Sequence, residues 1–278
     1  MSGERNGRPP APAPAGEGVP PDPWRELAAL TSARIALGRS GASLPTREVL
    51  GFGLAHARAR DAVHQPMDEA AVAAAVRAAG FEPLALASRA ASRSDYLRRP
   101  DLGRRLDERD RERAAAHRDA QADLAVVIGD GLSARAVNEN AGPFLARLRP
   151  RLEAAGLRAA GHVPVVANAR VAVGDEIAEL MEARAVLMLI GERPGLSSPD
   201  SLGLYLTAAP RLGRSDAERN CISNVRPAGL SFDRAAHKAV WLLMEARRRG
   251  ATGVALKDES DREWLSSAPG PGALADDR

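Results

Sequence analysis

The sequence predicts an α/β protein, a mainly parallel sheet domain preceded by a smaller helical domain and an extended arm. Three observations carry that prediction. From Leu124 onward, short apolar runs alternate with helix-patterned segments, which is how strand-helix-strand units of a parallel sheet are written. The runs "LAVVIG" and "AVLMLIG" show no polar alternation, as expected of strands buried on both faces. Ahead of Ala122 the chain is charged, alanine-rich and free of β-branched runs. Four segments result: a disordered Pro/Ala-rich arm over 1–23, a helical domain over 24–120, a sheet domain over 121–258, and a disordered tail over 259–278.

Each element follows from its own pattern. "LPTREVLGFGLAHARARDAVH" puts Val49, Phe52, His56 and Val63 on one helical face. "MDEAAVAAAVRAAGF" begins with acids and is followed by Gly80, suiting the two ends of a helix dipole and its stop. "SRAASRSDYLRRPDLGRRL" packs a dense set of arginines around Tyr96, with a break at Pro100. "DERDRERAAAHRDAQ" is a solvated helix. Then come strand "LAVVIGD", a helix through "SARAVNENAGPFLARLRPRLEAAG" broken at Gly142-Pro143, strand "VPVVANARV", helix "GDEIAELMEA" and strand "AVLMLIGE". "SLGLYLTAAPR" reads as helix passing into strand, and "CISNV" as a short strand. The last helix is capped by Ser231, buries Ala236, Val240, Leu243 and Ala246, ends in three arginines and stops at Gly250.

Composition narrows the function classes. Net charge is +3, but arginines and carboxylates alternate throughout and only Lys238 and Lys257 are lysines. A nucleic-acid track wants basic residues clustered on one face. No apolar stretch approaches the ~18 residues of a membrane span. One cysteine excludes an internal disulfide and suits a reducing cytoplasm.

Chemical motifs are few. "GDGLSA", Gly129 to Ala134, matches the glycine pattern of a phosphate-binding strand-to-helix turn. A dinucleotide site also wants an acid after the next strand, where this chain has Asn168-Ala169-Arg170. A tight turn with Ser133 as helix cap accounts for the match equally well. The five histidines and Cys221 have no zinc-site spacing, and nucleophile elbow and Walker loop are both missing. Glu192, at the mouth of the "AVLMLIG" strand, stands where open parallel sheets hold ligands. The chain therefore reads as a ligand-holding module rather than a complete active site.

The blocks "ARIALGRSGASLPTREVLGFGLAHARARDAVH", "SDYLRRPDLGRRL", "VVIGDGLSA", "IGERPGL" and "ERNCISNV" resemble, in order, the small (light) subunit of ethanolamine ammonia-lyase, over about Thr31 to Gly253. The resemblance implies a bacterial lyase that uses adenosylcobalamin to convert ethanolamine to acetaldehyde and ammonia. It implies a large-subunit partner carrying the substrate residues, and a Rossmann-like cobalamin-binding domain over 121–258. By the same resemblance Val171, Glu192 and Cys221 contact the cofactor. Cobalt then arrives inside the cofactor, with no protein metal ligand from this chain. The arginine-rich segment, with Arg98, Arg99 and Arg104, is expected to face the partner, and cytoplasmic housing in a bacterial microcompartment is compatible. A stand-alone nucleotide enzyme built on "GDGLSA" and a nucleic-acid binder built on the arginines are the rival classes.

Overall fold

The computed structural model describes residues 24–31 and 33–267; the expected arm over 1–23, and residues 268–278 of the expected tail, lie outside them. Six strands form one sheet: β1 (Glu82–Ala87), β2 (Ala125–Gly129), β3 (His162–Ala167), β4 (Ala185–Gly191), β5 (Leu202–Ala208) and β6 (Asn220–Val225). The helices are α1 (Arg25–Ala28), α2 (Thr46–His64), α3 (Glu69–Ala78), α4 (Arg93–Arg98), α5 (Glu108–Ala115), α6 (Ala134–Ala154), α7 (Val171–Leu180), α8 (Phe232–Arg249) and α9 (Ser260–Ser267).

The strand order is β1-β3-β2-β4-β5-β6. β1, β3, β2 and β4 run parallel, whereas β5 is antiparallel to β4 and β6 to β5. The sheet is thus mixed, not mainly parallel as expected. The reason lies in the connections. Only ten residues separate β4 from β5, too few for the helical crossover that a parallel neighbour needs. β1 is a second correction, because it comes from the segment expected to be wholly helical. Its residues "EPLALA" lack a β-branched side chain, and register with β3 decides their conformation. As an edge strand it tolerates Pro83, which has no N–H to give.

Alternate residues of each central strand feed two cores. Leu124, just before β2, and Val126 and Ile128 of β2 pack with α3, α6 and α8 on one face, while Ala125 and Val127 pack with α7 on the other. Helix α6 runs unbroken through Pro143 and Pro150. Each interior proline forfeits a helix hydrogen bond, but Phe144, Leu145, Leu148 and Leu152 on the same helix are buried in the core. Gly142 lets α3 approach closely, since a Cβ there would come 2.8 Å from the Ala75 Cβ. Residues 260–267, expected as tail, form α9. The stretch "SLGLYLTA" is strand throughout from Leu202.

One consequence positions the site. The chain leaves β2 through α6 on one face to reach β3, then crosses through α7 on the opposite face to reach β4 on β2's other side. Connections that depart in opposite directions leave a crevice between the carboxyl ends of β2 and β4.

Candidate functional site

At that crevice lies an open cleft of about 460 Å³. Gly131 and Leu132 after β2, Arg170 and Val171 after β3, and Gly191 to Arg193 after β4 form its walls, with Tyr96, Tyr205 and Ser223 closing the sides. Val171 is the first residue of α7, not a strand residue as expected, and the preceding Arg170 gives that helix no side-chain cap.

Glu192 is held from three sides. Ser223 Oγ donates to its Oε1 at 2.6 Å, the Asn224 amide donates to Oε2 at 3.2 Å, and Ser201 Oγ also donates to Oε2. The carboxylate therefore ties the ends of β4, β5 and β6 together. Gly203 makes room for it, since a Cβ there would come 2.9 Å from Glu192 Cγ and 3.1 Å from the Tyr205 ring. Cys221 is exposed and pairs in register with Tyr205 on β5. Partial desolvation by its neighbours pushes its thiol upward, against a hydrogen bond with Tyr205 that lowers it. Burial likewise pushes the Tyr205 hydroxyl upward, reinforced by Cys221 and Glu192.

The other wall is cationic and aromatic. Tyr96 is fully buried between two guanidinium groups, Arg170 at 4.2 Å and Arg93 at 4.6 Å from its ring centre. Burial raises its hydroxyl to about 12, opposed by Arg170. Arg93 donates to Asp130 at 3.2 Å and to the Gly131 carbonyl at 2.8 Å. Asp130 also accepts from the Ala169 amide at 2.8 Å, and its burial holds the carboxyl above the usual range. Among the described residues two donors in this wall have no partner, Arg93 Nη2 and Arg170 Nε.

The family model for the ethanolamine ammonia-lyase light chain (EutC) matches residues 21–257. An ethanolamine ammonia-lyase small subunit from Bradyrhizobium diazoefficiens is 57% identical over 242 residues, covering 87% of this chain and 93% of that protein. Those from Pseudomonas aeruginosa and Xanthomonas campestris pv. campestris are 56% and 54% identical over 248 and 251 residues, covering 88% and 89% of this chain and 90% and 92% of theirs. The chain belongs to the ethanolamine ammonia-lyase small-subunit family. A small subunit implies a large one, and no helix among the described residues is long and apolar enough to cross a membrane.

In this small subunit the "GDGLSA" glycines are explained by packing. A Cβ on Gly129 would come 2.5 Å from Met188 Cε, and one on Gly131, whose φ is +57°, would come 2.2 Å from the Gly191 carbonyl oxygen. Ser133 accepts from the Ala136 amide as the cap of α6 and donates to the Pro199 carbonyl. These contacts favour the tight-turn reading of the motif.

The cleft brings Val171 and Glu192 together, and Cys221 sits beside them across Tyr205. Tyr96, expected to face a partner, is instead part of the cleft wall. Arg105 turns inward to Glu176 at 3.2 Å, and Arg99 is taken up by Asp101 at 2.7 Å. Arg98 and Arg104 remain exposed. Sequence reasoning missed Ser201, Gly203, Tyr205 and Ser223, which reach Glu192 only once β5 and β6 fold back antiparallel. Among the described residues no three His, Cys, Asp or Glu gather as metal ligands.

Two further clefts are poorer candidates. One of about 220 Å³ lies at the opposite end of the sheet, where Asp123 already pairs with Arg184 and Arg247. Another, of about 340 Å³, lies where the end of α6, α8 and α9 meet.

Proposed function

We propose that the chain is the cofactor-holding subunit of an adenosylcobalamin-dependent ethanolamine ammonia-lyase, with the substrate residues on the large subunit. The observation that carries this reading is the convergence of Val171 and Glu192 on one cleft at the switch between β2 and β4. A cleft of about 460 Å³ holds only the edge of a corrin, which suits a cofactor shared between two chains.

The residues present fit that edge. A carboxylate offers about four acceptor sites, and three of those on Glu192 are taken. One is left for an amide N–H of the corrin rim, in a charge-assisted bond. Val171 offers an apolar edge, and the amide of Arg170, the residue before it, is already donated to the Gly103 carbonyl. Cys221 is small and polarisable enough to lie against a flat ring system. Arg170, with a buried unpaired donor, borders the same space. When bound, the cofactor supplies the cobalt–carbon bond whose homolysis opens the radical route from ethanolamine to acetaldehyde and ammonia. This chain's residues contribute position alone.

The test is co-expression with the large subunit and titration of the pair with adenosylcobalamin, followed by its visible spectrum and by ammonia release. Glu192→Ala should weaken binding about ten- to hundredfold, the range of one charge-assisted hydrogen bond. A wild-type pair that forms without taking up cobalamin would overturn the reading. A variant that binds like wild type would return Glu192 to the role of a clamp between strands.

A further inference from the structure

Helix α2 is nineteen residues long, yet among the described residues Ala62 is the only one of its residues that is buried. In its first half Val49, Leu50, Phe52 and Leu54 are 54, 68, 49 and 53% exposed. At 3.6 residues per turn those four spread over more than half the circumference, so they do not form the single stripe a surface helix turns toward its own core. A helix that is apolar on most sides is normally enclosed. Among the described residues, the Arg34 guanidinium lies 5.2 Å from the Phe52 ring centre.

The glycines are a second, independent observation. Gly51 and Gly53 stand inside α2, where glycine weakens a helix. A Cβ built on either would meet no atom within 4 Å, so nothing among the described residues requires them. Elsewhere in the molecule interior glycines mark close approach, as Gly142 does between α6 and α3. The missing side chains on α2 make sense where the backbone of another chain comes close.

We propose that the first half of α2, residues 46–54, is a docking helix that enters an apolar, acid-rimmed groove of the large subunit. The proposal rests on the chain's being the small member of that pair. Its surface, a cylinder ~13 Å long and ~10 Å across, amounts to roughly half of the ~800 Å² that each partner gives to a stable interface. Exposed Leu44 and Ile35 extend it. A second copy of this chain is the poorer occupant. Helices paired across a two-fold axis cover one stripe each, and the clefts described above, of 220 to 460 Å³, are too small to admit a helix. Residues 24–64 carry six arginines against three acids, so a groove with an acidic rim complements them.

Position supports the same occupant. Arg93 Nε donates to the Val63 carbonyl in the last turn of α2 at 2.7 Å, while its Nη1 reaches Asp130 and Gly131 at the cleft. The last turn of α2 is thus fixed at the cleft, and the docking half begins about 14 Å further along the same helix.

The full chain is co-expressed with a tagged large subunit, and affinity is measured for wild type, Leu50→Glu/Phe52→Glu, Gly53→Leu and a control at the exposed Met244 of α8, Met244→Glu. The double variant should lose at least a hundredfold in affinity with an unchanged thermal midpoint of the isolated chain. Gly53→Leu should favour the helix and still dock at least tenfold more weakly. Wild-type affinity in both variants would overturn the proposal, as would an equal loss in Met244→Glu. Loss of self-association of the isolated chain, with heteromeric affinity intact, would overturn it in favour of a second copy. Failure of the wild-type pair to take up cobalamin would strike the cofactor reading and leave docking by α2 standing.

Discussion

The sheet domain and α2 solve the same problem in opposite ways. β2 and β4 are buried along their whole length on both faces, so the sheet and its helices complete each other within one chain. α2 carries comparable apolar side chains but turns them outward. Helical stability in proteins comes mostly from packing of an apolar face. The sheet domain accordingly holds its own free energy of folding, while that of α2 is deferred to assembly. The cleft lies at the boundary, tied to the sheet through Glu192 and to α2 through Arg93.

The largest effect that would test this contrast sets two phenylalanines against each other. Phe144 on α6 is fully buried, and Phe52 on α2 is half exposed. Phe144→Ala should cost the isolated chain about 3–5 kcal/mol, as large core truncations do. Phe52→Ala should stay within about 0.5 kcal/mol, as surface changes do. Denaturant midpoints of both variants, with unchanged slopes, give the comparison directly. A Phe52→Ala cost above about 2 kcal/mol would mean that α2 is packed within its own chain, and the contrast would collapse.

A smaller effect separates site from scaffold. Gly203→Ala places a Cβ against Glu192 and the Tyr205 ring. Strand β5 should lose about 1–3 kcal/mol through overpacking. The assembled pair should lose cobalamin affinity through displacement of Glu192 as well. Ser223→Ala removes a donor to Glu192 without adding volume, so it should weaken cobalamin binding while the unfolding free energy from denaturant titration changes by about 1 kcal/mol or less. Equal stability losses in both variants, with binding unchanged, would make Glu192 a strand clamp only.

Much of this was legible in the sequence where local chemistry and tertiary packing agree. β2 and β4 are continuous apolar runs, and Ser231 caps α8 while Gly250 ends it with φ of +69°. Asp68 caps α3 through the Ala71 amide. The failures fall where packing overrides local preference. "EPLALA" and "LGLYLTA" are rich in helix formers and become strands because β3 and β4 pair with them. Pro143 looks like a break and is carried by the buried residues around it. In the site, Glu192 stood out as a lone acid at a strand mouth. Its partners Ser201, just before β5, and Ser223, on β6, are nine and thirty-one residues away, and no spacing rule joins them before the antiparallel hairpins form. The outward face of α2 was legible as periodic apolar residues but not as exposed ones, because periodicity names a face without saying which molecule covers it.

The smallest predicted effect concerns acid, and it contrasts a solvated helix end with the buried core. On α8, Glu245 takes hydrogen bonds from Arg248 and Arg249, which hold its carboxyl down at about 2 against an ordinary 4.5. A carboxylate depressed on folding adds stability that is present above the unfolded value and disappears as pH falls toward the folded one. Asp130 and Asp175 have the opposite sign, because burial raises both. The whole-protein acid curve therefore mixes opposing contributions. A difference between wild type and Glu245→Gln isolates this one. The thermal midpoint of wild type should exceed that of the variant slightly at about pH 6, and the gap should narrow below about pH 4.5 and vanish near about pH 2. The pair sits on the surface, so solvent screening keeps the gap small and added salt should shrink it further. A gap that persists unchanged through that whole range would mean that Glu245→Gln loses packing rather than charge, and that the last turn of α8 is held like the core and not like a solvated helix end.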